Sequence, residues 1–216
     1  MKKVTIAIVT MFSLVLNQSL HAQRGLSVSV KGAPQFSWMN NSDDKGENNF
    51  NNKSKVSANF GVGAQYNFTT NLGVGLDVLY SLQGRKYDLS GTSYRQKNNY
   101  LKVPVYFAYT TNPAKKIAFT GKLGPQLSIL TSSKLDGGTF NNTDTKDVYK
   151  NALFGLMADA GAQFSLLKNT WLITGIRYDY DITNAEDETY RGYPAGRSKT
   201  HNSSLGLEVG LKYQLK

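Results

Sequence analysis

Residues 72–109, LGVGLDVLYSLQGRKYDLSGTSYRQKNNYLKVPVYFAY, decide the fold. In the first part Leu72, Val74, Leu76, Val78, Tyr80 and Leu82 recur at every second position, separated by Gly73, Gly75, Asp77, Ser81 and Gln83, with Leu79 the one exception. In the second part Leu101, Val103, Val105, Phe107 and Tyr109 alternate with Lys102, Pro104, Tyr106 and Ala108. A period of two places successive side chains on opposite faces, which is the signature of a strand. The stretch therefore reads as two long strands joined by a polar connection over residues 88–99.

The same alternation appears outward from this hairpin in residues 26–38, 56–68, 117–129, 152–164, 172–182 and 205–215. Pro34 and Pro125 interrupt two of these segments and point to bulges. Residues 69–71, 110–116 and 167–170 are short connections, whereas residues 39–55, 88–99, 131–151 and 183–204 are long and polar. Strict alternation of short and long puts every long loop at one end. The expected fold is all-β: an eight-stranded antiparallel up-and-down transmembrane β-barrel, with short periplasmic turns and four long external loops.

The start of the chain agrees with export. Lys2 and Lys3 precede the largely apolar run of residues 4–16, and small Ala22 stands before Gln23, so residues 1–22 read as a secretory signal peptide and residues 23–216 as one outer-membrane domain. No segment reaches the eighteen uninterrupted apolar residues of a spanning helix. A membrane form must then be a barrel, the other structure that satisfies its own backbone in lipid. Cysteine is absent, which removes disulfides, thiolate nucleophiles and thiolate metal sites. The formal charge of +10 falls to +8 without Lys2 and Lys3, leaving 23 basic and 15 acidic residues. Export turns the expected partner of that charge from nucleic acid to anionic lipid or polysaccharide headgroups.

Alternation alone leaves open which face is inside. A soluble, lipocalin-like exported barrel binding an apolar ligand would turn the apolar face inward; a membrane barrel turns it toward lipid. The polar face carries Lys31, Asp77, Arg85, Lys102, Lys122, Asp159, Arg177, Asp179, Asp181, Glu208 and Lys212. Six bases against five acids suit a narrow interior in which each ion needs a partner. On the apolar face Trp38, Tyr80, Phe154, Tyr178 and Tyr180 lie toward the long loops, and Tyr66, Phe68, Phe107, Tyr109, Phe119, Phe164 and Tyr213 toward the short turns. Two aromatic belts around an aliphatic band belong at two membrane interfaces. The eleven charges are accordingly expected to form a structural network inside the barrel, with outer-membrane lipid around it.

The segments GLSVSVKGAPQFS, GLDVLYSLQGRKY, NNYLKVPVYFAY, KLGPQLSIL and GLEVGLKYQLK resemble the PorT-like outer-membrane β-barrel proteins common in Bacteroidetes. The resemblance covers essentially the whole mature chain as a pattern of strands, without a catalytic signature. It implies an eight-stranded outer-membrane barrel and a possible link to envelope or secretion-machinery proteins.

Sites of chemistry are sparse. His21 falls in the leader, and His201 lies in the last long loop near Ser198, Ser203 and Ser204. That grouping is the basis of an alternative, a membrane-embedded lipid-modifying enzyme, but no nucleophile-elbow motif surrounds the serines. Asp179, Asp181, Glu186, Asp187 and Glu188 form the densest acidic group and lack the spacing and glycine of an EF-hand. Gly61, Gly63, Gly73 and Gly75 sit inside strands, where they relieve crowding. No catalytic, cofactor-binding or metal-ligating residue is assigned. The expected function is that of a non-enzymatic outer-membrane barrel with a filled interior, acting in envelope structure or interactions through its external loops.

Overall fold

A computed structural model describes residues 25–45 and 50–215; the expected signal peptide, residues 1–22, lies outside them. The strands are β1 (Gly25–Asn40), β2 (Phe50–Lys53), β3 (Lys55–Asn67), β4 (Leu72–Leu89), β5 (Thr92–Thr110), β6 (Ile117–Gly137), β7 (Phe140–Asp144), β8 (Ala152–Leu167), β9 (Thr170–Asp181) and β10 (His201–Gln214). Each long strand pairs antiparallel with the next long strand in the chain, and β1 pairs with β10 from Ser27↔Gln214 to Asn40↔His201. That last pairing closes β1, β3, β4, β5, β6, β8, β9 and β10 into an eight-stranded barrel and leaves it no free edge. The short strands β2 and β7 add to β4 and β6 at one end.

The register fixes the faces. Val30, Val62, Phe107, Phe119 and Leu207 point outward and are exposed, whereas Lys31, Asp77, Lys102, Arg177 and Glu208 are buried. An apolar exterior around a polar interior is the distribution of a barrel in lipid and the reverse of a lipocalin-like one. From Leu72 to Leu82 on β4 the outward residues form a continuous apolar and aromatic run. At about 3.3 Å per residue and a tilt of about 40°, that run climbs about 25 Å, the height of a membrane barrel's apolar band.

Two expectations change. Pro34 and Pro125 do not create bulges: the register of β1 with β10 and β3, and of β6 with β5 and β8, is the same on either side of them. A proline has no N–H to give, and here it interrupts the ladder without shifting it. The shifts lie instead at Asn99/Tyr100, Leu135/Gly137 and Ser165/Leu167. Residues 88–99 are also mostly strand: β4 and β5 run on past the band and meet at Ser90 and Gly91, whose φ values of 49° and 80° make a tight turn of the kind that hairpins favour. β6 likewise extends to Gly137 and turns back through β7.

Candidate functional site

The inward positions of seven strands bring their charges together. Lys31 from β1 donates to Asp77 of β4 at 2.9 Å and lies 3.7 Å from Glu208 of β10. Lys122 from β6 reaches Glu208 at 2.7 Å and Asp159 of β8 at 3.3 Å. Lys102 from β5 donates to Asp179 of β9 at 3.2 Å. Arg177 of β9 joins these pairs: its guanidinium is 3.0 Å from Asp179 and 3.6 Å from both Asp77 and Glu208. Four bases thus meet four acids in one connected, charge-neutral group. Neutrality matters because a buried ion without a partner costs several kcal/mol.

Small residues make the room. Asp77 lies across from Gly63, and Tyr106 lies across from Gly75. A Cβ on Gly75 would come within 2.5 Å of the Tyr106 ring, so only glycine lets that ring lie inside the bore. Tyr106 in turn donates to Asp77 at 3.0 Å. What space remains includes a cavity of about 20 Å³ lined in part by Lys31, Tyr106, Lys122 and Glu208, roughly the room one water needs.

Three of the eleven expected residues stand apart from this group. Arg85, nearer the external end, pairs with Asp44 at 2.5 Å and lies 5.0 Å from the Tyr87 ring centroid. Asp181 accepts hydrogen bonds from Ser128 and Asn202. Lys212, nearer the short turns, donates to Gln163 and lies 5.4 Å from the centroid of Trp171. Charge counting in turn missed Tyr106, Gln126, which accepts from Arg177 at 3.0 Å, and Ser204, which donates to Asp179. Their only signal was inward parity, because none of them carries charge.

Above the network the bore is stopped a second time. Met39, Tyr100, Leu130, Tyr149, Leu153 and Ala185 pack together as a small apolar core at the external end. The first and last external loops close over it. Asp43 accepts hydrogen bonds from the Ser198 amide and hydroxyl, both at 2.7 Å, and these bonds hold its carboxyl below the usual range. Arg197 donates to Glu186 at 2.6 Å and to Asp44 at 3.2 Å. Asn41 donates to Thr200 at 2.8 Å. The acidic group of residues 179–188 is therefore spent on separate tasks: Asp179 in the network, Glu186 on Arg197 and Asp187 on Thr189. His201 faces the Asp181 carbonyl oxygen at 3.1 Å through Nδ1 and stacks on Tyr180.

A closed eight-stranded barrel with an apolar exterior and an ion-paired bore defines the class: an outer-membrane β-barrel protein. The family model for the outer membrane protein beta-barrel domain matches residues 17–187, and the chain belongs to that family. Among solved structures it is similar to the outer membrane protein OprG from Pseudomonas aeruginosa, with a TM-score of 0.51 and 11% identity over 89% of this chain and 97% of OprG. It is also similar to Neisserial surface protein A, with a TM-score of 0.51 and 15% identity over 88% of this chain and 97% of that one. A major outer membrane protein from Thermus thermophilus gives a TM-score of 0.50 and 15% identity over 88% of this chain and 99% of that one. Likeness at such identity concerns the fold alone. No curated protein matches the sequence.

Proposed function

We propose that this protein is a non-enzymatic, non-conducting outer-membrane barrel whose work is done by its external end. The observation that carries the reading is the double stopper: a charge-neutral network through the middle of the bore and the Met39–Tyr100–Leu153 core above it. With the bore filled, the part of the molecule that offers surface is the wall that rises beyond the lipid band. There β2, the β4–β5 hairpin and the β6–β7 hairpin form one extension, stiffened by Tyr87 stacked on Tyr94 at 5.2 Å and by Phe140 against Tyr94 at 6.3 Å. A rigid exposed sheet suits contact with another envelope component better than it suits turnover. The PorT-like resemblance carried by residues 25–37, 75–87 and 98–109 supports envelope or secretion-machinery proteins as the class of partner.

Planar-bilayer recording tests the reading. The expected result is no steady conductance from the refolded protein, with stepwise conductance appearing when Met39 and Tyr100 are both replaced by Gly and Arg177 by Ser. Stable open steps in the unaltered protein would overturn the filled-bore reading. The enzymatic alternative rests on His201, whose Nδ1 and ring face are already engaged. His201→Ala is expected to leave envelope lipid composition unchanged in cells that produce the protein.

A further inference from the structure

The outer wall carries a concentration of positive charge at one level on neighbouring strands. Lys86 of β4 lies directly opposite Arg95 of β5, and Lys97 of β5 directly opposite Lys134 of β6. Lys53 of β2 faces Lys86 from the other side. Like charges placed directly across a ladder repel and weaken the pairing; Arg95 has Asp136 on its other side and Lys134 has Asp144, whereas Lys86 lies between two bases. Lys55 of β3 completes the set: it donates to the Gln83 carbonyl oxygen, level with these rows and above Leu82. Its amine is pushed down to about 8, first by burial and then by Lys97, Arg95 and Lys86. Three acids answer six bases. Asp88 is held by Lys53 and Ser93, Asp136 by Lys97 at 3.0 Å, and Asp144, directly opposite Lys134, accepts from the Lys146 amide. Lys86, Arg95 and Lys134 have no carboxylate within ion-pairing distance among the described residues.

The bases surround a concavity. Gly84, directly opposite Lys97, has a φ of 131°, and a Cβ there would collide with the Gln96 carbonyl oxygen, so this position in the wall must be glycine. The open hollow measures about 570 Å³. Its lining is graded: Val56 and Leu82 toward the apolar band, then Asn99 and Ser132, then Lys55, Lys86, Arg95, Lys97 and Lys134. Leu82, Asn99 and Ser132 form one cross-strand row, and the bases begin in the next.

We propose that this hollow binds the phosphate of an outer-leaflet lipid, with the lipid's acyl chains against Val56 and Leu82 and its phosphate among Lys86, Arg95 and Lys134. The gradient is what selects a lipid over free phosphate. An anion in solution has no use for an apolar lower wall, whereas an amphiphile in the leaflet meets that wall and the cations at the heights where its own two parts lie. Arginine supplies a planar fork for two phosphate oxygens and the lysines supply point charges. A bound phosphate would also offset the Lys86–Arg95 and Lys97–Lys134 repulsion.

The test uses the full, folded barrel in detergent with three probes: diphosphorylated lipid A, the same lipid with its phosphates removed, and inorganic phosphate. Binding is read by native mass spectrometry and by retention of labelled lipid. The Lys86→Gln/Arg95→Gln/Lys134→Gln variant is expected to bind phosphorylated lipid weaker by on the order of a hundredfold. A control with the same loss of charge at the opposite end, Lys115→Gln/Lys116→Gln/Lys168→Gln, is expected to bind as the unaltered protein does. Heat-modifiable gel mobility shows that both variants are folded. The proposal fails if the outer-wall variant retains the lipid, if the dephosphorylated lipid binds equally well, or if inorganic phosphate at lipid concentration competes for the site.

Discussion

Arg177 shows how much one residue carries in this barrel. It is 2% exposed, and three acids from three strands lie within 3.6 Å of its guanidinium. Removing one partner of a buried group strands the others, at a cost of about 3–5 kcal/mol. Arg177→Met is expected to lower unfolding stability in lipid vesicles by that amount, measured by urea titration. Lys53→Met is expected to change it by less than about 1 kcal/mol, because the Lys53–Asp88 pair lies in solvent. Equal losses in the two variants would mean that the interior charges do not act as a group. Alternation and charge alone single out these eight residues as expected inward ions. Tyr106 was not, because an aromatic ring at an inward position looks like an error of register until Gly75 is seen across from it.

At the scale of elements, the strands within lipid could be read and those beyond it could not. In residues 72–82 and 101–109 one face is apolar and the other polar, so period two stands out. In residues 86–99 the inward face, with buried Gln96 and Asn98, and the outward face, with Lys86, Arg95 and Lys97, are both polar, so the same strand geometry leaves no contrast in the sequence. The loops posed a different difficulty. Asp43 and Ser198 are 155 positions apart, and their clasp across the barrel mouth is purely tertiary. Its pH dependence follows from the direction of the shift. The folded Asp43 carboxyl titrates below its unfolded value of 3.8, so the clasp contributes in full above that pH and is lost as pH falls through the lower folded value. The Ser198 amide proton is expected to move in NMR spectra with a midpoint below 3.8, and to lose that transition in Asp43→Asn. A midpoint at or above 3.8 would rule the clasp out.

On the scale of the whole molecule, closure of β1 onto β10 gives a direction as well as a shape. The short connections gather at one end and the extended hairpins at the other. The absence of cysteine makes this orientation easy to measure. A single Ser90→Cys substitution at the β4–β5 tip is expected to react with a membrane-impermeant maleimide on intact cells. Asn112→Cys, in the β5–β6 turn, is expected to react only after the outer membrane is opened. The opposite pattern would invert the barrel and move the basic hollow of β3–β6 to the wrong leaflet.

By itself the sequence determined the strand count within the membrane, the face each side chain takes within the lipid band and the end at which the long excursions gather. These follow from a period of two and from the contrast between lipid and a polar bore, which each strand records locally. Tertiary structure alone decided which charges pair, that the mouth is clasped shut, and that bases from five strands gather on the outer wall. Those facts depend on register between strands, and register is set by closure of the whole barrel.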